Sequence, residues 1–233
     1  MLFNLKEDVY MRVEGELKRL FINKINSILR DGLETLPPIQ EMILERSIDN
    51  ERLALLVKYS DISSQRTNAY LFIFKSYCDD WFEDGYIFFE NRIILSMCMN
   101  DLGDKIALSV QDLGIKLMSY DNDSNRWCIK DYFLSLKDTD IKDIFGHEIL
   151  YDKKDNLLVS APFRAVNEKP CAGIVYIFKD KELITTLQSK DIREDDFFGL
   201  SMIRGRHDNG HRNNTPCILI DSVNLKNQPF FLS

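Results

Sequence analysis

The sequence predicts a mainly β fold, a short β-propeller-like repeat array of about four units, preceded by an N-terminal α-helical segment. Three observations lead there. From residue 51 onward, short runs rich in Ile, Val, Leu, Phe and Tyr alternate with turns carrying Asp, Asn and Gly, a pattern of strands and hairpins. One run recurs: "LALLV" (53–57) returns 53 residues later as "IALSV" (106–110), then as "LLVSA" (157–161) and, after a polar insertion, as "CILID" (217–221). Phe145-Gly146 returns as Phe198-Gly199, again 53 residues on. A period of about 40–50 residues holding about four short strands marks a propeller blade, whose strands read as apolar runs because both faces are covered.

Residues 1–50 read differently. Val9, Val13, Leu17, Leu20, Phe21, Ile25, Ile28 and Leu29 fall at three- and four-residue spacing, with Glu14, Lys18, Arg19 and Lys24 opposite them. Gly32 suits a helix end and Pro37-Pro38 forbid its continuation. Pro38 then suits the first position of a second, shorter helix through "IQEMILERS". The expected organisation is a helical segment over 1–50 and a β-repeat domain over 51–233. Each recurrent run after residue 50 is followed by a turn and a further strand: "AYLFIFK", "IKLMSY", "GIVYIFK" and the terminal "PFFLS". The "LSM" at 95–97 reappears at 200–202, close to two periods away.

The motif "FG…LLVSAP…AGIVYIF…FFG" resembles the FG-GAP repeat of integrin α-subunit propellers and of bacterial proteins of similar architecture. The resemblance is close over 144–203, carried by Phe145-Gly146, Ser160-Ala161-Pro162, Gly173, Tyr176 and Phe198-Gly199, and fades to pattern elsewhere. It implies blades whose wedges are filled by the aromatics at 145, 176 and 178. Many such blades carry a D-x-D-x-D-G calcium loop between their first two strands. The matching place here is Asp152-Lys153-Lys154-Asp155-Asn156, with lysines where oxygen ligands are wanted, so no calcium and no cofactor is expected.

Composition narrows the function. A net charge of −7 and a pI near 5.1 disfavour nucleic acid and anionic membrane as main partners. The five cysteines are scattered and odd in number, which fits buried small hydrophobes in a reducing compartment. No apolar run approaches the ~20 residues of a bilayer span, so a cytoplasmic location is expected. "YDNDSNRW" (120–127) has alternate Asp121, Asp123 and Asn125 but lacks the glycine and closing Glu of a calcium loop, and reads as a hairpin turn. "RGRHDNGHRNN" (204–214) reads as a basic inter-strand loop, with Arg204, Arg206 and Arg212. Its His207 and His211 offer the alternative reading, a metal-dependent enzyme or carbohydrate-binding protein, although Asn209-Gly210 between them is a turn signal.

No nucleophile elbow, phosphate loop or H-E-x-x-H motif is present. The expectation is a non-enzymatic protein–protein binding module, with another protein as partner. An inhibitor or immunity protein neutralising a bacterial toxin is the narrower form. Two loops differ from their repeat equivalents: 163–172, between the first two strands of the third unit, and 204–215. Both adjoin the acidic run around Asp191. The expected binding surface comprises Arg164, Glu194, Asp195, Asp196, Arg206 and Arg212, with charge governing association rate more than affinity.

Overall fold

The computed structural model describes residues 39–49, 51–61, 66–78, 80–136, 140–208, 214–221 and 230–232. Among them the structure is mainly β: four antiparallel sheets and a single 3-10 turn, Ile141–Asp143. The chain divides after Ile93 into two compact units.

The first unit contains one four-stranded meander, β1 (Ile39–Arg46), β2 (Arg52–Asp61), β3 (Arg66–Tyr77) and β4 (Asp80–Phe89), in that spatial order. The helix expected through "IQEMILERS" is corrected here, since those residues form β1, paired antiparallel with β2 from Arg46 opposite Leu53 to Ile39 opposite Tyr59. Met42 and Leu44 alternate onto the apolar face that holds Leu53, Leu55, Val57, Phe72 and Phe74. Glu41 meets the buried Lys58 ammonium at 2.7 Å. Cross-strand partners outweigh the helix-start signal of Pro38, because pairing and burial stabilise more than local propensity does. The longer helix expected earlier in the chain lies outside the described residues. An aromatic row crosses this sheet, with Tyr59 stacked on Tyr70 at 5.9 Å and Tyr70 on Phe88 at 4.8 Å.

The second unit contains three sheets. The second sheet is β5 (Ile94–Met99), β6 (Lys105–Val110), β7 (Gly114–Asp121) and β8 (Arg126–Leu134). The third is β9 (Ile149–Tyr151), β10 (Leu157–Ala161), β11 (Ile174–Lys179) and β12 (Glu182–Leu187), and the fourth is β13 (Ser201–Asp208), β14 (Asn214–Asp221) and β15 (Phe230–Leu232). The sequence repeat maps onto topology. "LALLV", "IALSV", "LLVSA" and "CILID" all lie in the second strand of their sheets, and the runs that follow them form the third strands.

All five residues of β10 are buried, which requires cover on both faces. Leu157, Val159 and Ala161 share a core with Ala107, Ile115 and Leu117 of the second sheet. Leu158, Val175 and Ile177 share another with Met202, Ile218 and Ile220 of the fourth. The third sheet is thus sandwiched face to face, which accounts for apolar runs without alternation. The first strands gather on one side: β9 packs beside β5 and β13. Arg204 in β13 donates to Asp101 at 2.5 Å and to the Met99 carbonyl at 3.2 Å, at the far end of β5. Stacked meanders with converging first strands are a propeller-like arrangement.

The Phe-Gly pairs make the joints. Gly146 and Gly199 have φ of 86° and 87°, the left-handed region open to glycine. The Gly146 amide donates to the Ser160 carbonyl at 2.8 Å, and that of Gly199 donates to the Asp221 carbonyl at 3.0 Å. A Cβ on Gly146 would stand 2.1 Å from Ser109 Oγ and 2.8 Å from Ile115 Cδ1, both in the sheet before. A Cβ on Gly199 would stand 3.0 Å from Ser160 Cβ and 2.7 Å from Val175 Cγ2. Ser109 pairs with Ile115, and Ser160 with Val175, so the two joints are the same contact one sheet apart.

The first turns repeat too. Ser47 Oγ, Asn100 Oδ1 and Asp152 Oδ1 accept from the amides of Arg52, Lys105 and Asn156, closing the first hairpin in each of the first three sheets. Asp152 also accepts from the Lys154 amide and the Asn156 side chain, while Asp155 accepts from Asn100 and Lys105. The carboxylates where calcium would sit in an FG-GAP loop are therefore engaged by donors of the protein itself. The "YDNDSNRW" stretch is the β7–β8 turn: the Ser124 hydroxyl and the Asp123 amide both donate to Asp121, and the Ser124 bond in particular holds its carboxyl below the usual range.

Candidate functional site

The loop at 163–172 lies between the second and third strands of its sheet, not the first two as the sequence suggests, because β9 precedes "LLVSA". Its tip is a tight hairpin in which Val166 and Lys169 exchange backbone hydrogen bonds of 3.1 and 3.0 Å. Asn167 and Glu168 occupy positive φ of 50° and 64°, the primed turn that Asn at its first corner favours. The Gly173 amide returns to the Arg164 carbonyl at 3.0 Å and closes the base.

The acidic segment before the second Phe-Gly is laid along this loop. The amides of Asp195, Phe197 and Phe198 donate to the carbonyls of Pro170, Cys171 and Ala172 at 3.0, 2.9 and 3.0 Å. Gly173 is required for this approach, since a Cβ there would stand 2.3 Å from the Phe198 nitrogen. Phe163 packs edge-on against Phe197 at 5.3 Å and lies 6.3 Å from the His147 ring. The result is a fixed ledge: Glu168, Glu194 and Asp195 are exposed on a backbone that is tied on both sides. Partial burial raises the Cys171 thiol above its usual range, and Asp195 and Glu194 add to that through their negative field. Beneath the ledge, burial lowers the His147 pKa and raises that of Glu148.

The expected site residues are only partly brought together. Glu194 and Asp195 are exposed on the ledge. Asp196 is fully buried, with neither carboxylate oxygen hydrogen-bonded, and so is corrected from a surface contact to an interior group. Arg164 stands at the base of the loop, where its guanidinium meets Asp143 at 3.1 Å. Asp143 is held there by the capping of the 3-10 turn, whose Asp140 amide donates to it at 3.0 Å. Asp191 is bound by its neighbour Arg193. The stretch read as a basic loop is largely strand: Arg204, Arg206 and His207 belong to β13, with Arg206 opposite Pro216 and His207 opposite Thr215. Arg212 and His211 lie outside the described residues. Among the described residues no three His, Cys, Asp or Glu side chains gather as metal ligands would.

Sequence reasoning missed Asp143 and Phe163. The signal for Asp143 was available, because Asp143-Ile144-Phe145-Gly146 and Asp196-Phe197-Phe198-Gly199 align. Ile144 and Phe197 even share left-handed φ values of 48° and 50°.

No family model matches the chain, and no curated protein is similar to it. Similar solved structures include dipeptidyl peptidase 4 of Porphyromonas gingivalis, at 9% identity and a TM-score of 0.41, covering 82% of this chain and 30% of that one. Another is an acylaminoacyl peptidase of Pyrococcus horikoshii, at 10% identity and a TM-score of 0.41, covering 90% and 33%. A third is the β-propeller domain of the Trilobed protease from Pyrococcus furiosus, at 10% identity and a TM-score of 0.31, covering 85% and 72%. The chain spans about a third of the length of the first two.

Proposed function

We propose that this chain is a non-enzymatic protein-binding module that receives a cationic protein on the ledge formed by loop 163–172 and Glu194-Asp195. One observation carries the reading: the three backbone hydrogen bonds from 195–198 to 170–172 tie down the main chain beside which the exposed carboxylates stand. Preorganised acidic groups on a rigid scaffold gain on-rate and specificity without the entropy cost of ordering a loop at contact. The FG-GAP-like character of the Phe-Gly joints and the chain's acidity fit the narrower form, an inhibitor or immunity protein that neutralises a basic toxin.

The test compares wild-type protein with Glu194→Lys/Asp195→Lys, each immobilised and exposed to lysate of the native host. A basic protein retained by wild type and lost from the variant supports the reading, provided both melt at the same temperature. Identical captured sets sink it.

A further inference from the structure

One face of the first sheet is closed from outside the sheet. Leu53, Leu55, Val57, Tyr59, Phe72 and Phe74 form a core of their own. Among the described residues, the side chains packed against that core all come from the same sheet. A single sheet leaves each face open to water until a second layer covers it, yet Val57 is 0% and Phe72 1% exposed.

The exposure is graded across the strands, and the gradient gives the width of the cover. Tyr86 and Phe88 of β4 stand opposite Phe72 and Tyr70, so they share this face, but they are 54% and 43% exposed. Met42 and Leu44 of β1, on the other side, are half-buried. Burial is deepest over the two central strands and incomplete on both outer ones. Strands lie about 4.8 Å apart and a helix with its side chains is about 10–12 Å across, so one helix laid along β2 and β3 reproduces the gradient. A second sheet packed face to face would cover all four strands.

The chain outside the described residues contains one candidate. Its internal stretches run no longer than 222–229, whereas 1–38 leads straight into Ile39 of β1, which itself packs against the buried face. Wound as a helix at about 100° per residue, 9–29 sets Val13, Leu17, Phe21 and Ile28 on one side and Arg19, Asn26 and Arg30 on the other. At about 1.5 Å per residue it is about 30 Å long, which matches β2 at about 3.3 Å per residue. Residues 30–38, extended at about 3.3 Å each, can return its end to Ile39. A helix of this length is marginal alone in water and draws its stability from burying such a stripe.

We propose that residues 9–29 form a helix that docks along β2 and β3 of the same chain, with its Leu17 side on the core of Val57 and Phe72 and its Arg19 side in water. The contact is separate from the acidic ledge and does not depend on the function proposed for it.

Maleimide labelling of engineered cysteines in the intact chain, with each site read by peptide mass, tests the proposal. Leu17→Cys is expected to react at least about tenfold slower than Arg19→Cys in buffer, and equally fast in urea. That ratio is expected to hold from about 1 to about 100 μM, because helix and sheet belong to one molecule. Val57→Cys is expected to be shielded. Adding Leu17→Asp should speed its labelling at least about tenfold, whereas adding Arg19→Asp should not. Leu158→Cys, equally buried in the third sheet, should keep its shielding throughout, which separates release of the helix from loss of the fold. Equal rates at 17 and 19, a Leu17→Cys rate that rises on dilution, a Val57→Cys indifferent to Leu17→Asp, or exposure of Val57→Cys and Leu158→Cys together would each overturn the proposal.

Discussion

Asn100 reaches out of the turn it closes and donates, at 3.0 Å, to the carboxylate of Asp155 in the matching turn of the next sheet. It is fully buried, and its carbonyl oxygen also accepts from the Asp104 and Lys105 amides at 3.0 and 2.9 Å. Asn100→Ala strands two main-chain donors and removes the donor to two carboxylates, those of Asp104 and Asp155, at once. Leaving buried polar groups unsatisfied costs about 1–3 kcal/mol each, so a total loss of about 2–4 kcal/mol is expected in urea unfolding. Asp155→Ala leaves the turn itself intact and should cost about 1 kcal/mol, because its partners are partly exposed. Equal losses for the two variants would contradict the order of these roles.

The two Phe-Gly joints should respond alike. Gly146→Ala and Gly199→Ala each combine a left-handed φ with a Cβ that meets the neighbouring sheet. Backbone strain of about 1–3 kcal/mol adds to overpacking of about 1–3 kcal/mol, so each variant should lose at least about 2 kcal/mol. Thermal denaturation of both variants checks this, and a joint that tolerates alanine without a drop in melting temperature would refute it.

Asp196 predicts a gain. A carboxylate buried with neither oxygen hydrogen-bonded opposes folding, and Asn keeps its shape without its charge. Asp196→Asn should raise stability by about 1 kcal/mol, whereas the same change at Asp143 removes half of an ion pair and should lower it. Chemical denaturation of the pair of variants decides: two changes of the same sign would be incompatible with this account.

Charge reversal on the ledge should act on rate. Glu194→Lys/Asp195→Lys should slow association at least tenfold at low salt, with little change in dissociation, and the difference should shrink as salt is added. Stopped-flow mixing with the captured partner at two ionic strengths tests it, and an effect confined to dissociation would contradict it.

His147 and Glu148 set opposite pH slopes. Burial lowers the His147 pKa from its usual 6.5, so below pH 6.5 the unfolded chain takes up a proton that the folded chain resists, and stability falls with pH there. Burial raises the Glu148 pKa from its usual 4.5, so above pH 4.5 the folded chain holds a proton the unfolded chain releases, and stability falls as pH rises through that value. Melting temperatures between about pH 4 and pH 8 should show His147→Asn flattening the acid loss below 6.5. Glu148→Gln should flatten the loss on the other side, above 4.5.

The repeat was legible because it is carried by residues whose chemistry is local. Gly146 and Gly199 announce left-handed backbone, and "LLVSA" announces a strand covered on both faces. What escaped were decisions made across space. Nothing within "IQEMILERS" says that Met42 and Leu44 will find Val57 and Leu55 across the sheet, so local propensity pointed to helix. Asp195 and Asp196 are adjacent and chemically identical, yet one is exposed and the other fully buried. They lie in a turn, with Asp195 at a left-handed φ of 55°, so no strand or helix periodicity marks which of the two faces inward.

Because Gly146 rests on Ser109 and Gly199 on Ser160 by the same contact, the third sheet carries both a socket in its second strand and a plug ahead of its first. Parts joined in this way can be copied in tandem. A segment from Asp143 to Asp195, inserted again after itself, would present the plug and socket its neighbours already use, so the array could lengthen by whole sheets with no new joint invented. Its stability would then grow roughly by a constant increment per added sheet, as in a one-dimensional chain of coupled units.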